Sequence, residues 1–94
     1  MRVRFFAGLR TITKCAEADI PYKETAGALA RYLCTLYGEE LRKKIFPADS
    51  SGEEKFKAEL LFLINGRHVN HLGGPAAPLD PDDKVDIFPV LGGG

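Results

Sequence analysis

The sequence has no net charge, no long apolar run and almost no cysteine, and each shortage removes a class of function. Lysine plus arginine equals aspartate plus glutamate at 13 each over 94 residues. There is thus no overall basic field of the kind that holds nucleic acid. No apolar stretch approaches the ~18 residues that a membrane-crossing helix requires. The opening Met1-Arg2-Val3-Arg4-Phe5-Phe6 alternates charge with hydrophobe and does not place a basic segment before an apolar one, so a secretory signal is not expected. The two cysteines, Cys15 and Cys34, lack C-x-x-C spacing and fall in what read as separate elements. They are expected to be buried thiols of a cytoplasmic protein and to form neither a disulfide nor a catalytic centre. His68 and His71 have no further ligand at metal spacing, and no zinc site is expected.

What remains is a composition 45% hydrophobic and 28% charged, that of one ordinary globular domain. Arg2 to Ala7 alternates as a strand with Val3 and Phe5 on one face, and Gly8-Leu9-Arg10-Thr11 breaks it. Cys15 to Ile20 reads as a second, weaker strand, joined to the first by a tight antiparallel connection and ended by Pro21. Thr25 is placed to cap a helix. From there Ala26, Leu29, Ala30, Leu33, Leu36 and Tyr37 recur at three- and four-residue spacing, with Cys34 beside them and Gly38 as a left-handed stop.

Glu39 to Phe46 reads as a short second helix turning Leu41 and Ile45 inward. Residues 47–54 have loop composition, with Lys43, Lys44, Lys55 and Lys57 as a solvated fringe. Glu59 to Ile64 is continuously apolar, which suits a strand covered on both faces. Asn65-Gly66 is the preferred pair of a type I′ hairpin, returning Arg67-His68-Val69 as a short strand. A proline-bearing connection from His71 to Asp82 follows. Gly73-Gly74 within it is a turn feature, because no strand-then-helix context supports a phosphate loop. Lys84 to Phe88 alternates as the last strand.

The order strand, strand, helix, strand, short strand, strand has too few βα repeats for a doubly wound sheet. It fits an α+β fold of the β-grasp kind, a mixed sheet of about five strands around one main helix. The first and last strands would be central parallel neighbours. The domain is expected over 1–90. A flexible glycine tail is expected over 91–94, because Leu91-Gly92-Gly93-Gly94 offers almost no side chain to pack. Such a tail could reach about 13 Å, far enough to enter a narrow site on another protein. By strand parity Phe6 and Phe88 lie opposite Val3/Phe5 and Val85/Ile87, side by side on a sheet surface, and exposed apolar patches of that kind mark interfaces.

Several stretches in order resemble the MoaD/ThiS family of ubiquitin-like sulfur carriers, most nearly its molybdopterin synthase small-subunit branch. They are Phe5-Phe6-Ala7-Gly8-Leu9-Arg10, Leu63-Ile64-Asn65-Gly66-Arg67, His71-Leu72-Gly73-Gly74, Pro78-Leu79, Asp83, Val85 and Ile87-Phe88-Pro89-Val90. The match leaves out about Glu39 to Lys57. Three glycines stand where the family has two, which leaves Gly94 and Gly93 both open as the working terminus. The family's second proline is replaced by Val90. The resemblance implies a carrier without catalytic residues of its own. Its terminal glycine carboxylate would be adenylated from ATP with magnesium on an activating adenylyltransferase, this chain binding no cofactor. A sulfur donor would then convert it to a thiocarboxylate. Leu91, Gly92 and Gly93 would thread into the larger molybdopterin synthase subunit. The resemblance also implies a partner-binding face of Phe6, Phe88, Val90, His68 and Arg10. Conjugation to lysines as a protein modifier, a ThiS-like role in thiamine or tRNA thiolation, and a passive β-grasp interaction module stand beside this reading.

Overall fold

The computed structural model describes residues 1–47 and 55–89. The tail from Val90 to Gly94 and most of the expected loop at 47–54 therefore lie outside the described residues. The elements are β1 (Arg2–Phe5), α1 (Leu9–Thr13), β2 (Glu17–Asp19), α2 (Ala26–Tyr37), α3 (Glu39–Ile45), β3 (Leu61–Ile64), β4 (Arg67–His68) and β5 (Lys84–Phe88). Two 3-10 turns, Val69–His71 and Gly74–Ala76, sit in the connection before β5. The described strands form one sheet in the order β2-β1-β5-β3-β4. The first and last strands are parallel neighbours at its centre, in register Val3 to Val85 and Phe5 to Ile87. β1–β2, β3–β5 and β3–β4 are antiparallel. This is the expected β-grasp.

One face of the sheet is covered and the other is open. Val3, Phe5, Phe62, Val85 and Ile87 point into the core and are fully buried, joined there by Leu29, Ala30 and Leu33 of α2 and by Leu41 and Ile45 of α3. Helix α2 begins as its sequence requires, with the Thr25 hydroxyl accepting from the Ala28 N–H at 3.1 Å. Its second residue must be glycine. A Cβ on Gly27 would stand 2.9 Å from the carbonyl oxygen of Pro75, so the helix meets the Gly74–Ala76 turn at backbone distance. The hairpin is as expected: Asn65 and Gly66 both have positive φ, 53° and 85°, the requirement of a type I′ turn. The Asn65 side chain also ties this turn to the start of β5, donating to Asp83 Oδ1 at 2.7 Å and accepting from Lys84 N at 2.9 Å.

The structure departs from the sequence reading in four places. The segment after β1 is the short helix α1, set by the need to bury Leu9 and Thr13, so β1 and β2 are joined by a helical turn and not by a tight hairpin. Leu36 is exposed and not part of the buried stripe, since α2 rolls it past the edge of the sheet. Gly38 has positive φ but an extended ψ, 88° and −168°, because the chain turns straight into α3. Strand β3 is covered on one face only: Phe62 and Ile64 are buried, whereas Leu61 is exposed and Leu63 half-buried.

Cys34 is buried and Cys15 half-buried, and both are free thiols. Cys15 Sγ lies 3.8 Å from the hydroxyl of Tyr37, whose ring packs edge-on against Phe5 at 5.7 Å. Burial, and then the Cys15 contact, push the Tyr37 phenol above its ordinary value. A raised folded pKa contributes stability below the unfolded value of about 10 and loses it as pH rises through the folded one. Denaturant titrations should show stability falling more steeply above pH 10 in the parent than in Tyr37→Phe. Equal slopes would show that the phenol is not linked to folding.

Candidate partner-docking face

The face opposite α2 carries the side chains that the core does not use. Along β1 these are Arg2, Arg4 and then Phe6; along β5 they are Lys84, Asp86 and Phe88; along β3, Leu61 and Leu63; and on β4, His68. Register brings them together: Arg4 faces Asp86, Phe88 faces Leu61, and Leu63 lies between Asp86 and His68. The Phe6 N–H donates to the Ile87 carbonyl at 3.1 Å, which continues the β1–β5 ladder one residue past β1 and sets the Phe6 side chain beside Phe88. The two rings are stacked, 4.2 Å between centroids and 7° from parallel. Such a pair contributes about 0.5–1.5 kcal/mol beyond the area it covers.

Two arginines hold Phe6 from the polar side. The Arg4 guanidinium lies 5.5 Å from the Phe6 ring centre and grips Asp86 through Nε at 2.7 Å and Nη2 at 2.9 Å. That bidentate grip raises the Arg4 pKa further above its ordinary value. Arg10, from α1, also lies 5.5 Å from the Phe6 ring, and its Nε donates to the carbonyl of Phe5 at 2.9 Å. His68 flanks the apolar side. Its Nδ1 accepts from the Asn70 N–H at 3.1 Å, which leaves Nε2 as the protonated nitrogen of the neutral ring. His71 stands 6.0 Å from it, ring centre to ring centre.

Phe6, Phe88, Arg10 and His68 thus share one surface. Gly92, Gly93, Gly94, Leu91 and Val90 fall outside the described residues. Leu61 and Leu63 enlarge the apolar patch, and the sequence reading missed them because an unbroken apolar run looked covered on both sides. The available signal was topological: α2 covers one face of the sheet, and no other described element covers the second. Among the described residues no group of three or more His, Cys, Asp or Glu could hold a metal ion, and no helix is long and apolar enough to cross a membrane.

Residues 3–94 match the ThiS family. The chain belongs to that family of ubiquitin-like sulfur carriers and modifiers. Over its full length it is similar to small archaeal modifier protein 3 of Haloferax volcanii, 33% identical over 96 residues and spanning 98% of that protein. Among solved structures it resembles small archaeal modifier protein 1 of Methanosarcina acetivorans, with a TM-score of 0.80, 25% identity, and 99% of this chain set against 94% of the other. It also resembles the CysO complex with BexX from Amycolatopsis orientalis, with a TM-score of 0.79 over 99% of this chain and 98% of that one. At 19% identity this last likeness speaks to fold alone.

The stacked pair should be a preformed feature of the surface and not a pillar of the fold. Phe88→Ala is expected to cost about 1 kcal/mol or little more in urea denaturation. It should also shift the Phe6 ring protons downfield by removing the shielding of the neighbouring ring. Unmoved Phe6 resonances would mean that the rings are not stacked in solution.

Proposed function

We propose that this chain is a sulfur carrier of the molybdopterin synthase small-subunit kind, serving molybdenum or tungsten cofactor synthesis. The observation that carries the reading is the position of the aromatic pair. Phe88 ends the central strand β5, so the chain leaves the middle of the sheet beside the exposed ledge of Phe6, Phe88 and Leu61. A partner that grips the ledge would receive whatever follows β5. The family match running to residue 94 and the ordered motifs around Phe5–Arg10 and Ile87–Val90 support the same reading.

In this mechanism the C-terminal glycine carboxylate, of Gly94 or of Gly93 after trimming, attacks the α-phosphorus of ATP on an activating adenylyltransferase. Magnesium there neutralises the phosphates, and pyrophosphate leaves. The mixed anhydride makes a poor electrophile reactive. A sulfur donor then displaces AMP and leaves a thiocarboxylate. Leu91, Gly92 and Gly93 thread into the larger synthase subunit, where glycine admits backbone conformations that side chains obstruct. Phe6, Phe88, Val90, His68 and Arg10 bind the partners. The chain acts as a cosubstrate, holding neither cofactor nor catalytic base.

A second reading has its own support. The full-length relative and one structural neighbour are both named as modifier proteins, and conjugation through the same activated glycine to substrate lysines uses the same first step.

Intact mass of the protein from cells holding its activating enzyme and a sulfur donor decides between them. The carrier reading expects a species shifted by one oxygen-for-sulfur exchange, localised to the C-terminal peptide. Conjugates on lysines of other proteins, with no shifted free species, would replace it with the modifier reading. Deleting Gly93 and Gly94 is expected to abolish either activity while leaving the unfolding midpoint within about a degree.

A further inference from the structure

The two arginines that flank Phe6 are in different states. Arg4 has spent Nε and Nη2 on both oxygens of Asp86, the side-on fork that a carboxylate fills completely. Arg10 has spent only Nε, on the Phe5 carbonyl. A guanidinium carries five N–H donors in a rigid plane, so four remain on its two Nη atoms, and none has an acceptor among the described residues. The group is exposed, yet its orientation is fixed at both ends, by the backbone bond through Nε and by the Phe6 ring beneath it. It is a preorganised donor pair at the rim of an apolar ledge.

Building on the carrier reading, we propose that Arg10 recognises an aspartate or glutamate carboxylate of the activating adenylyltransferase, gripped end-on through Nη1 and Nη2 while apolar side chains around that carboxylate cover Phe6, Phe88 and Leu61. End-on binding follows from the chemistry: with Nε committed to Phe5, the side-on edge is closed, and only the two terminal nitrogens face outward. A carboxylate matches that pair in spacing and charge. Asp86, the nearest carboxylate of the open face, is held by Arg4 and does not compete. Desolvating the ion pair against the ledge strengthens it relative to an open surface pair. Lysine at this position would present one point charge on a flexible stem and could not reproduce the two parallel bonds.

The test is ATP–pyrophosphate exchange by the activating enzyme, with the intact chain as varied substrate, at two or more salt concentrations. Arg10→Ala and Arg10→Lys should each raise the KM for the carrier by about 10-fold or more with kcat within about twofold. The Arg10→Ala variant should also show a shallower dependence on salt. Backbone amide spectra serve to confirm that each variant is folded. Unchanged KM in both variants overturns the proposal. Full retention by Arg10→Lys overturns the end-on fork in favour of a simple positive charge. Nη resonances of Arg10 that shift when Gly93 and Gly94 are deleted from the free chain would assign the fork to this chain's own carboxylate and equally overturn it. Absence of exchange with the unaltered chain removes the carrier reading itself, and the recognition proposal with it.

Discussion

The parallel pairing of β1 with β5 is the constraint on which the rest of the structure depends. It joins residues 82 positions apart, and nothing local specifies it, yet it fixes the two halves of the molecule at once. On the inner side it aligns Val3 and Phe5 with Val85 and Ile87 under α2. On the outer side it aligns Arg4 with Asp86 and, one residue beyond β1, Phe6 with Phe88. Because side chains alternate strictly along a strand, a slip of one residue would send the aromatic pair into the core and the core residues into water. The buried register therefore enforces the exposed one. The open face needs no separate stabilisation to be precise.

That coupling explains how much of the molecule could be read in advance. The strand order, the Thr25 cap, the Asn65-Gly66 turn and the Phe6/Phe88 juxtaposition all follow from short-range chemistry or from period-two alternation, which survive without tertiary information. The errors were of another kind. Whether an apolar residue is covered depends on how many layers the fold has, so Leu61 and Leu63 looked buried until the sheet proved to have only one helical cover. Leu36 fits the helical stripe by spacing, but whether it is buried depends on where the sheet ends. Helix α1 is too short for periodicity to reveal; burial of Leu9 and Thr13 by the neighbouring elements makes it a helix. Of the docking face, the aromatic pair was legible. The locking of Arg4 by Asp86 and the partial freedom of Arg10 were not, because both depend on side-chain geometry between residues that the sequence leaves far apart or in different elements.

The contents of the core also bear on what kind of function the fold can support. Among the described residues Thr13 is the only buried polar side chain, and no buried side-chain nitrogen or oxygen lacks a hydrogen-bond partner. Catalytic sites typically collect desolvated titratable groups with displaced pKa values. Here the resolved displacements belong to Arg4, strengthened by its own ion pair, and to Tyr37, a phenol packed on Phe5. Neither is poised to exchange a proton near neutral pH. The described body is built for recognition.

Recognition of that kind places a demand on the surface that the arginines answer. A bare apolar ledge of Phe6, Phe88 and Leu61 would attract any hydrophobic surface, since burial of apolar area is non-directional. A directional group at its edge converts adhesion into selection, because a partner lacking the complementary acceptor must desolvate a guanidinium without compensation. Arg4 cannot play that part while Asp86 holds it; its work is to neutralise Asp86 beside the rings and keep the ledge approachable. Arg10 can, since its orientation is fixed by one backbone bond and one ring while its terminal nitrogens stay open. The same pair of rings thus has one arginine that hides a charge and another that offers one, and the difference between them is a single carboxylate, Asp86, set by the β1–β5 register.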